Sequence, residues 1–490
     1  MRGQAFRFHG FTAFESNYNH KTMRRLFLLS MPAALLLAAA LNAAPNSDPR
    51  MQHAFRKPVQ NGWTFVHLEG SPSQIGYQHG VLLAREIEDG AKVLQLEAVH
   101  DSRRDWKFFR EASKTILWPH IEAQYREELQ GIADGVRASG VKLDVWDIVA
   151  INASLEWHYY IAQLEKKRGV ETSKVVPPGD HCSAFVATGS YTKDGKPVIA
   201  HNNWTGFLDG ARWTMVFDIA PAAGHRFIMD GYPGLIHSAD DFGINDAGML
   251  ITETTIGSFA GWDSNGIAEF VRARKAMQYA ASIDEFARIM KDGNNGGYAN
   301  DWLIADRKTG EVAHLELGLK NVTLERTRDG YFVGSNFAKN PKLIQEETTF
   351  DPNNMSLSGN ARHVRWEQLM AQNKGRIDVA LAEQMLGDHV DTFDKTDTPS
   401  ERTLCGRIDL SPRGLPEWQP PYGPSGAVQN KAADADMAEH LSFSAAAGPQ
   451  CGPTFRAAEH VKKHPEFNWQ KGLRDLPALP WTTFQAATGQ

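Results

Sequence analysis

Residues 182–203 read CSAFVATGSYTKDGKPVIAHNN. Two stretches of small, β-branched and aromatic residues, CSAFVATGSYT and PVIAHNN, flank Lys193-Asp194-Gly195-Lys196. Asp-Gly suits turns that need positive φ, so this segment reads as a β-hairpin. Its first strand begins at Cys182 and its second ends at His201, Asn202 and Asn203, which turns polar residues back toward the cysteine. Downstream, strands are expected at Arg212–Ile219, Arg226–Asp230, Met249–Glu253, Trp302–Asp306, Val312–Leu317, Val322–Arg326 and Tyr331–Ser335. Helices are expected over Ile267–Ala281 and, opened by a Ser282-x-x-Glu285 capping box, over Ile283–Met290. Strand groups with inserted helices imply a layered α/β domain. After Leu410 the chain reads as loop-rich, and no sequence repeat is present.

Upstream the pattern is helical. Apolar residues recur at threes and fours from Ser73 to about Glu165, and a third helix is expected over Val145–Leu164. Lys166–Asp180 (KKRGVETSKVVPPGD) reads as an exposed linker, because charge, paired prolines and glycine suit neither helix nor strand. At the N-terminus, Arg24 and Arg25 precede an apolar run, Leu26–Leu41, that ends in Asn42, Ala43 and Ala44. That run falls short of the ~20 residues needed to span a bilayer. It reads as a secretory signal peptide over 1–43, with Met23 an alternative start and a retained anchor the competing reading. Secretion or export to the periplasm is the expectation.

The 490 residues are 42% hydrophobic and 22% charged, which excludes disorder, collagen-like repeats and a polytopic membrane protein. With 52 basic and 58 acidic residues the net charge is −6, so no nucleic-acid partner is expected. Three cysteines exclude a disulfide scaffold and a tetracysteine zinc site.

Cys182 is the focal residue. A thiol where a linker meets a strand is a nucleophile if a base takes its proton, and otherwise an inert buried cysteine. In an oxidising compartment Cys405 and Cys451 can pair, which leaves Cys182 as the odd thiol. His201 is either its orienting partner or a satisfied strand end. Asp240 and Asp241 offer carboxylates for a metal, yet neighbours on a strand point to opposite faces, so a turn or cap is the simpler reading. No G-x-S-x-G elbow, H-E-x-x-H pair, Walker loop or G-x-G-x-x-G after a strand is present.

CSAF (182–185), AHNNW (200–204), YPG (232–234), SADDFGI (238–244), ETTIG (253–257), NDWLIAD (300–306), GSN (334–336), CGRIDL (405–410) and CGPTF (451–455) together resemble the phospholipase B-like family. The order and spacing hold from Cys182 to the C-terminus, with weaker similarity back to about Gly62. The resemblance implies an α+β, four-layer αββα fold of the N-terminal nucleophile hydrolases. It divides the chain into the signal peptide (1–43), a helical N-terminal fragment and linker (44–181) and the hydrolase domain (182–490). It also implies cleavage between His181 and Cys182, which frees the Cys182 α-amine as base; an α-amine has a pKa of ~7.7–8.0. The severed N-terminal fragment would stay non-covalently associated.

By matched position the resemblance makes Cys182 the nucleophile and His201 and Trp204 pocket residues. Thr255 and Asn336 would contact the tetrahedral intermediate, with the Asn336 amide as oxyanion donor. Arg407 would hold the α-amine or a substrate anion, its alternative being an ion pair with Asp409. A Cys405–Cys451 disulfide fits the same pattern. His201 and Trp204 stand where bile-salt-type amidases have arginine and aspartate, so neither bile-acid nor penicillin specificity follows. No metal or organic cofactor is called for. The expected activity is removal of acyl chains from phospholipids, with transient membrane-surface contact. The alternatives are an amidase or acyltransferase on N-acylated small molecules or peptides, and a non-catalytic lipid-binding protein.

Overall fold

The computed structural model describes residues 48–169, 182–414 and 421–487. The expected signal peptide over 1–43, the linker from 170 on and His181 lie outside these residues. The chain divides into two units, Met1–Met51 and Gln52–Gln490. The described part of the first is a short turn, Pro49–Met51, with Arg50 paired to Asp48 at 2.6 Å.

Two sheets form the centre of the second unit. The first has nine strands in the order Phe55–Arg56, Thr64–Gly70, Met215–Pro221, Phe227–Gly231, Gly243–Asn245, Met249–Thr255, Asn300–Asp306, Glu311–Leu317 and Val322–Thr327. Thr64–Gly70 and Met215–Pro221 run parallel, and every other neighbour pair runs antiparallel. The second has six antiparallel strands in the order Gly330–Gly334, Cys182–Thr188, Val198–Gly206, Ser425–Asp434, Ser442–Ala447 and Thr482–Gln485.

The alternation of side chains explains how the sheets stack. Ala184, Val186 and Ile199 join Val216, Ile228, Leu250 and Leu303 in one buried cluster, which therefore lies between the two sheets. Their chain neighbours Phe185, Ala187, Val198 and Ala200 point the other way and pack on Trp366, Met370 and Leu386 of the helices Ser358–Gln372 and Val379–Leu386. On the far side, Leu68, Phe217, Ile251 and Ile304 of the nine-stranded sheet pack on Leu129, Ile132, Phe270 and Met290 from the helices Ala123–Ala138, Glu269–Tyr279 and Ile283–Lys291. The layers are thus helix, sheet, sheet, helix: the αββα order that the resemblance implied.

The hairpin forms as read, with Cys182 opposite Asn203 and Ala184 opposite His201. Two expectations need correction. The helix expected over Val145–Leu164 is two, Val145–Asn152 and Trp157–Lys167, separated at Ala153–Glu156. The region after Leu410 is not mainly loop: it supplies Ser425–Asp434, a ten-residue strand at the middle of the six-stranded sheet. Its sequence SGAVQNKAAD lacks a large apolar residue on alternate positions, so a periodicity reading passes over it. Among the described residues, no helix is long and apolar enough to cross a membrane.

Candidate active site

Cys182 is 3% exposed and opens its strand on the side that faces the other sheet. Its backbone N–H donates to Asn336 Oδ1 at 3.1 Å, and its carbonyl accepts from the Arg362 guanidinium. Asn336 has φ 62°, a left-handed conformation that asparagine tolerates better than most residues. Its side chain is fixed at both ends: Nδ2 donates to the Thr255 carbonyl at 2.6 Å, and Oδ1 also accepts from Arg362 at 2.8 Å. Gly257 makes this approach possible, since a Cβ there would stand 2.7 Å from the Asn336 carbonyl oxygen. The ETTIG and GSN motifs are therefore in contact.

The thiol donates a hydrogen bond to Asn203 Oδ1 at 3.9 Å. Cys182, His201 and Glu253 each place one ligating atom within 4.8 Å of the others, all three side chains being buried. Such a trio has the geometry to hold a metal ion as well as to move a proton. His201 has neither ring nitrogen in a hydrogen bond, its nearest acid being Asp240 at 3.6 Å. Burial, aided by the Lys431 charge, lowers its pKa to about 3, so the ring is neutral at neutral pH. Burial and the charge of Asp241 push Glu253 well above the usual carboxylate range, and Tyr298 donates to its Oε1 at 2.9 Å. Burial and Glu253 also push the Cys182 thiol well up. In the intact chain burial disfavours the charged form of every member of this trio.

Behind His201 lies a buried ammonium. Lys431 donates to Asp230 at 2.9 Å, to Gln429 at 3.0 Å and to Asp240, and all the charged partners are inaccessible to solvent. Burial opposes ionisation of Asp240, but Lys431 outweighs it and holds that carboxyl below its ordinary range.

Of the residues read from the sequence, Cys182, His201, Asn336 and Thr255 come together. Trp204 lies on the opposite face of its strand, against Arg362 at 4.5 Å from the guanidinium carbon to the ring centroid. It also rests on Gly406, where φ is 50° and a Cβ would meet the indole at 2.2 Å. Arg407 is not at the cysteine. Its guanidinium donates to Asp409 twice at 2.8 Å and to the carbonyls of Cys451 (2.9 Å) and Pro453 (2.8 Å), which uses its donors locally. The ion-pair alternative is the one observed, and Arg362 is the arginine that holds Cys182. Cys405 and Cys451 form a disulfide, which leaves Cys182 free.

Sequence reasoning passed over Arg362, Glu253, Asn203 and Lys431. Glu253 and Asn203 sit inside quoted motifs. Arg362 had a signal of another kind: it precedes Trp366, Leu369 and Met370 on the buried stripe of its helix, where an arginine needs a buried acceptor.

Residues 98–333 match the phospholipase B family model. Over this region the chain is similar to phospholipase B. It is 26% identical over 299 residues to an uncharacterised protein of Archaeoglobus fulgidus, covering 54% of this chain and 45% of that one. It is 23% identical over 341 residues to phospholipase B-like 1 of Caenorhabditis elegans, covering 62% and 57%. Against human phospholipase B-like 2 it is 32% identical over 293 residues, covering 51% and 49%. The chain thus spans about half the length of the curated relatives it matches. Among solved structures, a variant of conjugated bile acid hydrolase from Clostridium perfringens aligns at 12% identity with a TM-score of 0.30, covering 54% of this chain and 88% of that one.

Proposed function

We propose that this chain is an exported cysteine hydrolase, made dormant and activated by self-cleavage between His181 and Cys182, that removes acyl chains from phospholipid esters. The observation that carries the reading is the clamp on Cys182. Asn336 accepts from its N–H, Arg362 donates to its carbonyl, and the thiol lies beside His201 and Asn203. The nitrogen so held is the one that cleavage would turn into an α-amine.

The electrostatics support a precursor that waits. A thiolate is the reactive form, and burial keeps Cys182 a thiol. In the cleavage step the Cys182 sulfur attacks the His181 carbonyl, and the thiol proton passes to the departing Cys182 nitrogen. Water then hydrolyses the resulting thioester to leave the His181 carboxylate, the free thiol and the α-amine. With a pKa of ~7.7–8.0 before any perturbation, that amine takes the thiol proton at neutral pH and returns it to the leaving alcohol. The acyl-thioester formed with substrate is hydrolysed in the same way, which regenerates the thiol. The phospholipid ester follows the phospholipase B-like resemblance.

Intact-mass measurement with N-terminal sequencing tests the activation step. A fragment starting at Cys182, absent in Cys182→Ala, is expected; Arg362→Met should slow its appearance at least tenfold. A single uncut chain in the active preparation would refute self-processing. Assays on phospholipids and N-acyl amino acids test the substrate: turnover of the amides alone would make the protein an amidase. Phospholipid binding without turnover, unchanged in Cys182→Ala, would make it a binding protein.

A further inference from the structure

His237 and Asp241 belong to the loop between the strands Phe227–Gly231 and Gly243–Asn245, and Glu269 is the first residue of the helix Glu269–Tyr279. Asp241 takes a left-handed φ of 52°, which sends its side chain away from the direction of Asp240. One ligating atom from each of His237, Asp241 and Glu269 lies within 4.8 Å of the others, and all three side chains are at most 3% exposed. His237 Nδ1 is 3.7 Å from Asp241 Oδ1 and 3.8 Å from Glu269 Oε2, too far for hydrogen bonds.

The unmet hydrogen-bonding capacity is unusual. Neither ring nitrogen of His237 has a hydrogen-bond partner among the described residues, and no donor group among them reaches either oxygen of Glu269 or Asp241 Oδ2, whose carboxyls face each other. Buried polar atoms are nearly always paired, and each left alone costs about 1–3 kcal/mol. Arg272, whose charge reaches Glu269, spends its own donors on the carbonyls of Ile267 (3.0 Å) and Met290 (2.6 Å) and on Asn295 Oδ1 (3.4 Å). Ligands bound at ~2.0–2.2 Å around one small ion stand roughly 3–4 Å from each other, which matches the separations observed.

We propose that His237, Asp241 and Glu269 form a binding site for one divalent first-row metal ion. Two carboxylates balance its charge, and one imidazole with two carboxylates suits zinc or manganese better than the all-oxygen shell of calcium or magnesium. The ion ties the loop after Phe227–Gly231 to the helix that covers the nine-stranded sheet. It is separate from the trio Cys182, His201 and Glu253, with which it shares no residue.

The test uses the full chain, stripped with a chelator, incubated with Zn²⁺ or Mn²⁺, desalted and counted for bound metal by mass spectrometry. About one equivalent should remain on the parent and on Cys182→Ala, and at least tenfold less on His237→Ala and on the near-isosteric Glu269→Gln. The melting temperature of the stripped parent should rise on adding the metal. No retained metal on the parent overturns the proposal, whatever the variants do. Metal lost with Cys182→Ala, or kept by Glu269→Gln, overturns it as well, since the ion then sits elsewhere.

Discussion

Asp240 and Asp241 are adjacent in sequence, both inaccessible, and answered in different ways. Asp240 shares a lysine with Asp230, takes a hydroxyl from Ser238 at 2.7 Å and keeps its charge. Asp241 faces a histidine at 3.7 Å and Glu269, and among the described residues no cation donates to any of the three. Burial, with the charge of Asp241 next in weight, pushes Glu269 well above the usual carboxylate range. A buried carboxylate needs a donor, a proton or an ion. On the Asp240 side the chain supplies the donor from a central strand; on the Asp241 side burial and the neighbouring carboxylate disfavour the charged form of Glu269.

The comparison breaks most sharply at Lys431. Lys431→Met leaves Asp230 and Asp240 buried without their ammonium, and we expect a loss of about 3–5 kcal/mol by urea unfolding. A variant as stable as the parent would mean that the two carboxylates already share a proton and that the sides do not differ.

Acid is the next probe. His201 sits beside the Asp240 network with its pKa lowered to about 3 by burial and the Lys431 charge, while an unfolded histidine titrates near 6.5. The unfolded chain therefore takes up the proton first as pH falls, so the contribution is complete above pH 6.5 and is lost toward pH 3. By pH 5 this amounts to about 2 kcal/mol. Unfolding midpoints across that range should fall less steeply for His201→Asn; parallel curves would show that this ring is not the group that resists protonation.

Ser238 lies 2.8 Å from Asp230 and 2.7 Å from Asp240, and accepts from the Phe242 N–H at 3.1 Å. Removing its hydroxyl in Ser238→Ala should cost about 1–2 kcal/mol in the same assay, because those buried partners lose a contact. The smallest effect belongs to the other side. In the metal-free protein Glu269→Gln replaces a carboxyl whose charged form burial disfavours by an amide of the same shape, and we expect a change below about 1 kcal/mol. A large loss there would show that Glu269 is ionised and paired after all.

Much of this was legible in the chain. The Asp194-Gly195 turn and the flanking strands gave the hairpin and the return of His201 toward Cys182; the register that sets Asn203 opposite Cys182 came from the structure. Ser282 caps its helix by accepting from the Glu285 N–H at 3.2 Å, as the local motif indicates. Arg407 shows the opposite case. Its motif position suggested a role at the cysteine, but a guanidinium binds the acceptors within reach, and Asp409, two residues on, meets it first. Arg362 reaches Cys182 from 180 residues away, a separation no local pattern encodes.

Sequence by itself determined the things that depend on neighbours along the chain: the hairpin, the Ser282 cap and an odd cysteine. Tertiary structure alone decided which buried polar groups are compensated. The strand Ser425–Asp434 carries no apolar signature, yet its Lys431 pairs with Asp230 of the facing sheet and Asp240 of the loop that follows it. Left-handed backbone at Ala239 (φ 74°) and Asp241 (φ 52°) sends adjacent carboxylates to separate clusters. Propensity and periodicity act over a few residues, whereas the energy of a buried charge depends on whatever the whole fold brings within a few ångströms.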